Sequence, residues 1–80
     1  MDEIRRILIE HARLPVDVAT LSDHDDLFRI GLTSHANVNV MLALEEEFDV
    51  EFPESMLRRS TFQSIAAMHA AVSDLMTARI

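Results

Sequence analysis

The chain contains one glycine, Gly31, and soon after it runs a stretch from Ser34 to Phe48 that has neither glycine nor proline. That arrangement leaves little room for anything but a helix opening just past Gly31. A glycine followed by Thr33-Ser34 ahead of a periodic apolar run reads as loop, cap and helix. The first turn of a helix carries unpaired N–H groups and the positive end of the macrodipole. An anion tethered there, such as a phosphodiester, is stabilised by both. Ser34 is either the cap or, if Thr33 caps, the first helical residue, exposed and open to modification. It is a candidate handle for a covalently attached, phosphate-linked arm.

The remaining composition narrows the class. One glycine, two prolines and 5% aromatic residues give few hairpin turns and few strand signals, so the expectation is all-α. The 80 residues, 49% of them hydrophobic, suit one small core and a single domain over 1–80. The net charge of −7 disfavours nucleic acid and favours basic protein partners. The absence of cysteine excludes disulfides and thiolate metal sites and fits a reducing cytoplasm. No apolar run is long enough to span a membrane and no leader pattern is present, so a soluble cytoplasmic monomer without a membrane partner is expected. All seven basic residues are arginine, which excludes lysine Schiff-base chemistry.

Four helices are expected. The first runs from Asp2 to about Leu14, with Ile4, Ile7, Leu8, His11 and Leu14 on one face and Pro15 closing it. Residues 15–33 then form a long connection, apolar enough to pack against the body. The second helix, Ser34–Phe48, presents Val38, Met41, Leu42, Leu44 and Phe48 inward with Val40 at the edge. His35, Ala36, Asn39, Ala43, Glu46 and Glu47 point outward. A short third helix, Glu54 to about Arg59, starts after Pro53. Ser60-Thr61-Phe62-Gln63 has the form of a capping box opening a fourth helix, about Thr61 to Thr77. The inner stripe of that helix reads Phe62, Ile65, Ala66, His69, Val72 and Met76.

Catalytic and metal readings find little support. Ser34 and His35 are adjacent and so point about 100° apart on a helix, and no orienting acid is specified. Asp23-His24-Asp25-Asp26 lacks the spacing and closing glutamate of a calcium loop. His11 and His69 lie on apolar faces and are expected to be partly buried core residues. Glu45-Glu46-Glu47 place negative charge at a helix C-terminus, against the macrodipole. A partner surface and a plain solvated face both account for that run.

Leu27-Phe28-x-x-Gly31-x-x-Ser34, then Val38, then the block from Leu42 to Pro53, resembles the acyl carrier proteins along essentially the whole chain. The resemblance implies a four-helix bundle with three long helices, one short third helix and a long first loop. It implies a non-enzymatic carrier whose Ser34 bears 4'-phosphopantetheine, installed from coenzyme A by a phosphopantetheinyl transferase. The arm's thiol would hold acyl or aminoacyl groups as thioesters for a loading ligase and a downstream transferase. Docking is then expected around Ser34, with Thr33, His35, Asn39, Glu46, Glu47 and Arg58 as the contacts. The sequence departs from the family where Thr33-Ser34-His35 replaces Asp-Ser-Leu, where Ala36 and Asn39 replace acidic residues, and at Arg58-Arg59. Those departures imply a specialised carrier with its own partners. The Thr-Ser-His variant is similar to small bacterial carriers charged with amino acids by ligases resembling seryl-tRNA synthetase. Lipid or polyketide cargo stays open, as does a carrier-like interaction module without the prosthetic group.

Overall fold

A computed structural model describes residues 2–78. The elements are α1 (Asp2–His11), α2 (Leu27–Ile30), α3 (Ser34–Phe48), α4 (Arg59–Phe62) and α5 (Ile65–Ala78), with 3₁₀ turns at Val18–Thr20 and Glu54–Met56. Among the described residues there is no strand, and no helix is long and apolar enough to cross a membrane. The expected all-α bundle of three long helices is present, and its short pieces are divided differently.

The core lies where α1, α3 and α5 meet. α1 contributes Ile4, Ile7 and Leu8, and Ala12 just beyond its end is also buried. α1 stops at His11, short of the expected Leu14, because Arg13 takes a left-handed φ of 52°. α3 inserts Ala36, Val40 and Leu44, a stripe at i, i+4 and i+8. Val40 is therefore central, not marginal, and Ala36 faces inward. Val38 and Leu42, expected inside, are 48% and 52% exposed. The wide apolar face read from the sequence combines a narrow core stripe with apolar residues on an open flank.

α5 buries Ile65, Met68, Ala71 and Val72, with Leu75 packed at the margin. That i+3/i+4 series passes one position to the side of Met76, which is 46% exposed instead of internal. The expected capping box at Ser60 is not the start of α5. Ser60 lies inside α4, and the chain bends at Gln63-Ser64. The reason is tertiary. The Gln63 carbonyl accepts the N–H of Leu27 at 2.8 Å. The N–H of Ala67, which would meet that carbonyl in a continuous helix, donates to Ser64 Oγ at 3.0 Å. The Ala66 N–H donates to the Asp23 carbonyl at 2.9 Å. Ser64 therefore caps α5, the expected third helix is reduced to the 3₁₀ turn Glu54–Met56, and α4 takes Arg59 together with the opening of the expected fourth helix.

The long connection is packed, as its apolar content suggests, with Val18, Leu27 and Leu32 buried. Arg5 pins it. Its guanidinium donates to the Val18 carbonyl at 2.8 Å, the Leu21 carbonyl at 2.9 Å and Asp23 Oδ1 at 2.7 Å. The acidic run here is structural. Asp26 Oδ1 caps α2 by accepting from the Phe28 and Arg29 N–H groups, and Asp25 Oδ2 accepts from the Ser22 N–H. His11 and His69 are half-buried, and His11 Nε2 sits 3.6 Å from the Glu10 carboxylate.

Candidate functional site

Gly31 sets the approach to α3. Its φ of 142° disfavours a side chain, and an added Cβ would stand 2.9 Å from Pro15 Cδ. The Gly31 and Leu32 N–H groups both donate to the Leu27 carbonyl, closing α2. Buried Leu32 then anchors the chain one residue before the cap. Thr33 is extended, and its Oγ1 accepts from the Ala36 N–H at 3.0 Å. Thr33 is therefore the cap and Ser34 the first helical residue. Its hydroxyl is not needed for capping and its side chain is exposed.

Ser34 borders an open groove of about 460 Å³ between α3 and residues 57–62. Phe28, Val38, Met41, Leu57 and Phe62 supply its apolar lining. Arg58 and Arg59 also line it. Arg58 donates through Nε and Nη2 to the Ser55 carbonyl. The Arg59 guanidinium lies 4.6 Å from the Phe28 ring centroid, a cation–π contact that ties α4 to α2. Asn37, one turn along from Ser34 on the same wall, has a buried Oδ1 with no hydrogen-bond partner among the described residues. An acceptor left in that state costs about 1–3 kcal/mol.

The other anticipated docking residues lie on different flanks. Thr33, His35 and Asn39 line a second cleft with His11 and Arg13. Glu46 and Glu47 line a third, near the far end of α3, with Arg6 and Glu10. Arg58 alone of the set shares the groove with Ser34. The three glutamates have separate roles. Glu45 Oε2 accepts the Phe52 N–H at 2.8 Å and fixes the turn after α3. Glu47 pairs with Arg6 across to α1. Glu46 is exposed and has no ion pair among the described residues. Sequence reasoning missed Asn37, Leu57 and Arg59 as groove residues. The i, i+3 relation of Ser34 to Asn37 was the available signal.

Residues 2–69 match the family model described as a phosphopantetheine attachment site. The chain is 46% identical over 69 residues to the aminoacyl carrier protein of Agrobacterium fabrum, covering 86% of this chain and 83% of that protein. It is 35% identical over 65 residues to aminoacyl carrier protein 1 of Bradyrhizobium diazoefficiens, covering 81% and 69% of the two chains. Its fold superposes with a TM-score of 0.88 and 44% identity on a carrier protein from Agrobacterium tumefaciens. That carrier was solved with AMP and an engineered glycine:[carrier protein] ligase from Bradyrhizobium japonicum, and the match covers 90% of this chain and 96% of the carrier.

Proposed function

The chain belongs to the phosphopantetheine-attachment family of carrier proteins, and from that premise we propose that Ser34 is its attachment residue and an amino acid its cargo. It is a specialised carrier and not a catalyst, and 4'-phosphopantetheine is the group that its family carries. The observation that carries the Ser34 assignment is the serine's placement. It is exposed at the first position of α3, behind a cap made by Thr33, and it opens onto a groove.

The residues present fit the group. The first turn of α3 has free N–H groups and no acidic side chain to oppose a phosphodiester. Asn37 offers an unpaired acceptor one turn further on. A phosphopantetheinyl transferase joins Ser34 Oγ to the phosphorus nearest the pantetheine of coenzyme A. The hydroxyl proton leaves, and 3',5'-adenosine bisphosphate departs with the cleaved phosphoanhydride oxygen. When bound, the group supplies the thiol that this cysteine-free chain lacks, a chemistry suited to a reducing cytoplasm.

Two relatives named as aminoacyl carriers, and a structural neighbour bound to a glycine ligase, support an amino acid as cargo and such a ligase as loading partner. A downstream transferase then accepts the charged carrier. Docking uses the flanks of α3, through Thr33, His35 and Asn39 on one side, Arg58 on the other, and Glu46 and Glu47 at the far end. The test offers the phosphopantetheinylated protein glycine or alanine with ATP and an amino acid:carrier ligase, and fatty acids with an acyl ligase. A thioester with the amino acid is expected. Thioester formation with the fatty acid alone would overturn the aminoacyl reading.

A further inference from the structure

We propose that Asn37 positions the arm on Ser34, with its side-chain Oδ1 accepting a hydrogen bond from one of the arm's amide N–H groups and holding the arm in the groove beside α3. The inference rests on Ser34 being the attachment point. Three observations carry it. Asn37 Oδ1 is buried and has no partner among the described residues, so it is short of a donor. Neither groove arginine donates to it, since Arg58 bonds the Ser55 carbonyl and Arg59 stacks on the Phe28 ring. The tether and the acceptor stand three residues apart on one helix, so they share a face and a wall of the same groove.

The chemistry of the occupant matches that wall. Pantetheine has two amide N–H donors separated by methylene groups and a geminal dimethyl group. The donors suit the orphaned acceptor, and the aliphatic parts suit the lining from Val38, Met41 and Leu57. The groove volume of about 460 Å³ falls in the ordinary range for small-molecule sites, ~300–1,000 Å³. Asn37 thereby turns a loosely apolar groove into one with a fixed register for the arm.

The experiment prepares the phosphopantetheinylated protein with ¹⁵N in the arm amides, as native chain, Asn37→Leu and Asn37→Asp. Intact mass confirms attachment in each. Hydrogen exchange of the two arm N–H groups is then followed by NMR. In the native protein one arm N–H is expected to exchange about tenfold more slowly than in free pantetheine, the scale of one net hydrogen bond. Asn37→Leu removes that protection, and Asn37→Asp, which keeps an acceptor oxygen, retains it. Two arm N–H groups exchanging at the free rate in the native protein overturn the inference, whether or not the leucine variant folds. Protection that survives Asn37→Leu overturns it as well. An attached but freely exchanging arm leaves the Ser34 reading intact, whereas failure to attach any arm overturns both.

Discussion

The two connections flanking α3 are built on different terms. The one before it, residues 12–33, is fixed by long-range polar ties. Arg5 holds two carbonyls and Asp23, Leu27 binds the Gln63 carbonyl, and Val18, Leu27 and Leu32 are buried beneath. The one after it, residues 49–58, has Phe52 as its one buried side chain. Phe52 meets Phe62 edge-on at 5.2 Å and donates its N–H to Glu45. Beyond that anchor, Arg58 bonds only locally and Leu57 is 49% exposed. The first connection therefore fixes where Ser34 stands. The second forms a groove wall whose exposed residues are free to suit an arm or a partner, because few of them carry the fold.

The largest expected effect falls at the end point of the first connection. Ser34→Ala should abolish phosphopantetheine attachment entirely, by intact mass. Its stability should change by no more than about 0.5 kcal/mol, because Thr33 does the capping. Next comes the contrast between two arginines, one in each connection. Arg5→Gln should cost about 2–3 kcal/mol, since charged hydrogen bonds at a half-buried site are lost. The thermal midpoint should then fall by roughly 10 °C or more for a domain of this size. Arg58→Gln should stay within about 0.5 kcal/mol. Equal losses in the two variants would erase the distinction between the connections.

A smaller loss is expected from Gly31→Ala, where positive φ and the approach to Pro15 should cost about 1–3 kcal/mol in denaturant unfolding. The smallest effect on folding is expected at Glu46. Glu46→Lys should leave stability within about 0.5 kcal/mol, because the residue is exposed and has no ion pair among the described residues. Loading by the ligase should nevertheless weaken, most at low salt. Unaltered loading at low salt would remove the far end of α3 from the docking surface.

Where local chemistry decides, the sequence was legible. α3 was placed at Ser34–Phe48 because Gly31, Thr33 and an uninterrupted run act within a few residues of one another. Ser34 stood out for the same reason. The tertiary exchanges were hidden. Nothing near Gln63 announces that its carbonyl is taken by Leu27, so the split between α4 and α5 could not be read. The role of Arg5 was hidden because its partners are 13 to 18 positions away. Val38 and Leu42 looked like core because hydropathy does not distinguish a buried face from a groove. Glu45 and Glu47 were read with Glu46 as one acidic surface, although one fixes a turn and another pairs with Arg6.

The decisive measurement is the intact mass of the native protein and of Ser34→Ala after incubation with coenzyme A, magnesium and a broad-specificity phosphopantetheinyl transferase. A carrier whose first connection presents Ser34 for modification gains one phosphopantetheine in the native chain and none in the variant. No gain in the native chain with several transferases, or an equal gain in both, would contradict the assignment of Ser34.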